Sequence, residues 1–116
     1  MAGMVAPASS LALEAPGWRS PPMRIADTLW CRWKGLRPES NGMGLILRGR
    51  SVHGWGMREP LGVLALDANG VVVGCGTLRP RRFLRLPGGV WMVELPSGWP
   101  LPVAGTEVTL RPKLGA

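Results

Sequence analysis

The chain has 116 residues, 46% of them hydrophobic and 18% charged. That length holds one ordinary domain with a single core, and that balance indicates neither a disordered chain nor a membrane protein. The formal charge of +7 and a pI near 11.3 suggest an acidic partner, but the basic residues stand mostly singly and no nucleic-acid recognition motif accompanies them, so nucleic acid is not the expected one.

Composition also limits the elements. With 17 Gly, 12 Pro and 6 Trp against one Phe and no Tyr, the chain is cut into short pieces, which favours strands and turns over long helices. Residues 1–22, rich in Ala, Pro, Ser and Gly, show no sustained period and are expected to be a flexible leader. The first basic residue is Arg19, and no apolar run follows a basic start or approaches the ~18 residues of a membrane span; neither a secretory signal nor a transmembrane segment is expected, and a cytoplasmic location goes with that reading. The folded domain is expected over residues 23–111, with a short tail at 112–116.

Asp27 or Thr28 caps an expected short helix that places Leu29, Trp30, Trp33 and Leu36 on one face, and Pro38 stops it. Residues 43–47 read as a strand. Residues 61–66 and 71–75 flank Asp67, Ala68, Asn69 and Gly70, where Asn and Gly accept the positive φ of a tight hairpin, so these two runs should pair antiparallel. Both are almost continuously apolar and are expected to be covered on both faces. Further strands fall at 90–95 and 107–110. The architecture expected is mainly β (α+β): a small barrel-like, largely antiparallel sheet with one or two short flanking helices.

Chemistry-bearing residues are few. Alternation along 90–95 puts Trp91, Val93 and Leu95 on one face and Val90, Met92 and Glu94 on the other, so the Glu94 carboxylate sits either at a wet edge or in a pocket with a donor. His53 is the only histidine; no metal site and no cofactor are expected, and the residue reads as structural, with general acid or base work as the alternative. Trp55 and Met57 share one side of an expected strand and read as core. Arg58 is suited to solvent, to pairing with Glu59 or Glu94, or to holding an anion with its planar fork. Cys31 and Cys75 lack zinc spacing and read as structural thiols. Arg79, Arg81, Arg82 and Arg85 form the one dense basic cluster.

Three blocks resemble a known family, the bacterial and archaeal domain of unknown function 192. The first is Ala26, Asp27, Thr28, then Arg32, Gly35 and Leu36. The most specific runs from Ser51 through His53, Gly54, Trp55, Gly56, Met57, Arg58, Glu59, Pro60 and Leu61 to Asp67 and Gly70. The third is Val93, Glu94, Leu95, Pro96, Ser97 and Gly98. The resemblance covers roughly residues 25–110 and implies a compact, mainly β, barrel-like domain with short outer helices; it implies no activity. This chain departs from the pattern at Gly62, where the family usually places an acidic residue, and it has Trp55 where related sequences often have Phe.

The leading expectation is therefore a non-catalytic binding or accessory module with a pocket framed by residues 53–60 and Glu94. Its partner would be a small anionic ligand or an acidic protein. One rival is an enzyme using His53 with Arg58 and Glu94 on a small polar substrate. The other is a basic surface around residues 79–85 that docks an acidic partner.

Overall fold

The apolar runs that dominate the second half of the chain become the centre of a three-layered β structure, seen in a computed structural model that describes residues 11–26, 42–54 and 58–111. Among the described residues, chain order gives β1 (Ala12–Ala15), β2 (Trp18–Arg19), β3 (Met23–Ala26), β4 (Gly44–Arg48) and β5 (Ser51–His53). It continues through β6 (Leu61–Leu66), β7 (Val72–Leu78), β8 (Phe83–Arg85), β9 (Trp91–Leu95) and β10 (Thr109–Arg111). The middle layer is a five-stranded sheet of order β3-β4-β9-β6-β7. All its pairs are antiparallel except β3 with β4, which run parallel.

The period of two in each strand sorts the side chains between two cores. Ile46, Leu64, Leu66, Val93 and Leu95 point to the first face, where the sheet β10-β1-β2 covers them with Leu11, Leu13 and Leu110. Leu45, Leu47, Val63, Ala65, Leu78 and Met92 point to the second face, where the two-stranded sheet of β5 and β8 covers them with Val52 and Leu84. β6 is thus covered on both faces, as its unbroken apolar run requires: Val63, Leu64 and Ala65 are all fully buried.

The β6–β7 hairpin forms at the expected place. In its turn the Asp67 carboxylate accepts from the N–H groups of Asn69 and Val71, at 2.8 and 3.0 Å. Only Gly70 takes a positive φ there, 82°, so Asn69 helps by position and not by a left-handed backbone.

Four expectations need correction. First, the sheet does not close into a barrel: β3 and β7 are its two edges. At the start of β7 the outer backbone is met by residues 105–106, with Val72 N–H donating to Thr106 at 2.8 Å and Gly105 N–H donating to Val72 at 2.7 Å, which shields that end of an edge that would otherwise invite pairing. Second, β7 is not covered on both faces, since Val73 is 39% exposed and Cys75 and Thr77 are exposed.

Third, there is no helix among the described residues; the helix expected from Asp27 or Thr28 to Leu36 lies outside them, as do Cys31 and the tail 112–116. Consistently, no described helix is long and apolar enough to cross a membrane. Fourth, residues 11–22 are not a leader. Pro16 and Gly17, the latter at φ 74°, turn β1 into β2, and β1 pairs with β10 at the far end of the chain. Leu11 and Leu13 bury themselves in the first core, and buried Ser20 receives the N–H of Leu13 at 2.8 Å.

Candidate functional site

His53 ends β5, and its backbone neighbour across the ladder is Phe83 of β8. Immediately after it the chain passes so close to the turn before β8 that a side chain is excluded. A Cβ at Gly54 would collide with the carbonyl oxygen of Arg79. Hydrogen bonds replace the missing side chain: Gly54 N–H donates to Arg82 at 2.8 Å and Arg81 N–H donates to Gly54 at 3.1 Å. Arg81 accepts a left-handed φ of 62° to do so, a conformation that costs a non-glycine residue roughly 1 kcal/mol. Arg82 N–H closes the turn onto Arg79 at 3.1 Å.

Two features that are separate in sequence therefore form one surface. Residues 53–54 are strapped to the basic turn, on which Arg79, Arg81, Arg82 and Arg85 are all exposed. Phe83 projects from the middle of these arginines with 73% of its surface exposed, because β8 alternates and turns Leu84 inward to the second core. Arg58, Glu59 and Pro60 are also exposed. Trp55 and Met57 lie outside the described residues.

Glu94 occupies a different environment. Its neighbours across the sheet are Leu45 and Val63, it faces the second core, and none of its surface is exposed. Glu94 is not without a partner, in keeping with the cost of burying an unpaired carboxylate. The sequence expectation of a wet edge or a held pocket resolves to burial in the sheet centre. Arg58 in solvent and Glu94 in the core do not share an accessible space.

A partly open pocket exists elsewhere. Between the first face and its covering sheet lies a pocket of about 310 Å³, walled by Leu13 and Leu110 on one side and Ile46, Leu66 and Trp91 on the other, with Asp67 also in its lining. Exposed Arg48, opposite Trp91 in the β4–β9 ladder, lays its guanidinium over the Trp91 ring, 5.7 Å from the centroid. Sequence reading missed this cavity because part of its wall, Leu13 and Leu110, comes from β1 and β10. The signal for β1 was present in the alternation of Leu11, Leu13 and Ala15 before Pro16-Gly17.

Among the described residues no group of three or more His, Cys, Asp or Glu is placed to hold a metal ion. Cys75 is a free thiol that donates to the Pro102 carbonyl at 3.4 Å, and partial burial pushes its pKa up, which disfavours the reactive thiolate.

No protein-family model matches the chain, and no curated protein matches it. Among solved structures, it is similar to the crystal structure of a protein of unknown function from Novosphingobium aromaticivorans. The TM-score is 0.64 and the identity 15%, over 85% of this chain and 82% of the other. At that identity the likeness speaks for a shared fold alone.

Proposed function

We propose that this protein is a non-catalytic binding module, akin to the domain of unknown function 192, which engages an acidic protein partner through residues 53–54, 58–60 and 79–85. A bacterial, cytoplasmic setting goes with the proposal. The observation that carries it is the Gly54 strap. By pinning Gly54 to the basic turn, it gathers four exposed arginines and an exposed phenylalanine on one surface beside the end of β5. Preorganised arginine forks suit carboxylates, and an aromatic anchor amid them supplies apolar contact that charge alone does not. The enzymatic alternative draws less support, because Glu94 has no exposure to a substrate while Arg58 is in solvent.

A titration of the full chain with a glutamate-rich peptide, followed by backbone amide shifts, tests the reading. Binding should weaken steeply as salt is added and should be lost when Arg81, Arg82 and Arg85 are together replaced by Gln. His53→Ala or Arg58→Ala should weaken it further than charge removal elsewhere, such as Arg24→Gln. Equal affinity in the triple variant and the native chain would overturn the proposal.

A further inference from the structure

The cavity between the first face and the sheet β10-β1-β2 is independent of the arginine surface, and its walls carry their own chemistry. Its lining is mostly aliphatic, with the Trp91 indole and Asp67 beside it, so it favours an apolar occupant over a sugar, nucleotide or other polyol, most of whose hydroxyls would lose water without gaining partners. Its volume of about 310 Å³ corresponds to roughly ten methylene- or water-sized groups. Two charges stand close by, Asp67 in the lining and Arg48 over the ring of the lining Trp91. Asp67 is already committed, because one of its carboxylate oxygens receives the N–H groups of Asn69 and Val71. Arg48 has no carboxylate partner among the described residues; stacking on Trp91 orients its guanidinium plane while its N–H fork is left to bind an anion.

We infer that this cavity is a binding site for a medium-chain alkyl monocarboxylate, its chain between the two sheets and its carboxylate on Arg48. The chemistry selects against the neighbouring classes. An alkyl amine would meet Arg48 with like charge, and an uncharged alcohol would gain the cavity but not the fork.

The test is a titration of the full chain with octanoate, octan-1-ol, octylamine and butanoate, read by amide and methyl shifts. Octanoate should perturb Leu13, Ile46, Leu66 and Leu110 at millimolar concentration or below. Affinity should fall roughly fourfold for each methylene removed toward butanoate. Arg48→Gln, a change at an exposed position, should weaken octanoate about tenfold and leave octanol unchanged. Leu110→Trp should abolish binding by filling the space, with the shift pattern of the fold retained. The inference is overturned if octanoate causes no shifts at these residues, if Arg48→Gln leaves its affinity unchanged, if octylamine binds as tightly, or if Leu110→Trp still binds. The arginine surface, tested by peptide, can fail or succeed without affecting these outcomes.

Discussion

The two faces of the central sheet are covered in opposite ways. On the second face the cover comes close because glycines let it. Gly76 faces the Leu84 methyls at 3.1 Å from where its Cβ would be, Gly89 brings its backbone to within 2.9 Å of Ala65 on the same measure, and Gly54 touches the Arg79 carbonyl. On the first face, Ile46, Leu66 and Trp91 oppose Leu13 and Leu110, and large side chains on both layers hold the sheets far enough apart to leave the cavity. Glycines admit close contacts on the first face as well, at Gly62 against Leu101 and at Gly70 against the Val108 carbonyl, so the difference teaches that space remains where large side chains meet across the layers, and not simply where glycines are lacking.

The sharpest way to break that comparison is Gly54→Ala. A methyl group cannot share the position of the Arg79 oxygen, so the β5–β8 cover must shift. A loss of about 3 kcal/mol or more in denaturant unfolding is expected. A loss below about 1 kcal/mol would mean that the second cover yields easily and that the faces are more alike than described. Next in size is Ala65→Val, fully buried beneath Gly89, where overpacking should cost about 2 kcal/mol.

The matching change on the first face has the other sign. Val108 is 6% exposed and lines the cavity, so Val108→Ile adds a methylene to existing space and should stabilise by about 0.5 kcal/mol. If Val108→Ile and Ala65→Val destabilise equally, the contrast between the faces is gone. The smallest effect belongs to Glu14→Gln on the outer side of the first cover. Its contacts with Arg19 at 3.4 Å and Arg111 at 3.7 Å are solvent-exposed, and the change should stay within about 0.5 kcal/mol and vanish at high salt. The edge of the sheet offers a chemical reading of the same packing. Because burial pushes the Cys75 thiol up, iodoacetamide should modify it more slowly in the folded chain at pH 8 than in urea, and the rate should rise as pH increases.

Much of the central sheet was legible because its signals are local. Residues 61–66 are apolar throughout, and Asp67 to Gly70 carry the side chain and backbone freedom that the turn needs, so β6 and β7 follow from adjacent residues. The alternation of 91–95 likewise placed Glu94 on the face of Met92, although only its neighbours Leu45 and Val63 made it buried. The arginine cluster was visible as charge. That it contains β8, and that Leu84 turns inward while Phe83 turns outward, was not visible, since a three-residue strand with two charges has no periodic signal of its own.

What the sequence by itself determined is the set of short strands and turns in the second half and the alternation within each strand. These depend on φ preferences and side-chain period within a few residues. Only the tertiary structure decided that β1 pairs with β10, that β3 lies parallel to β4, that Gly54 joins the segment after β5 to the basic turn, and that a cavity remains above Trp91. Each of these depends on segments far apart in the chain, whose pairing is selected by the surface they bury together and not by any property either carries alone.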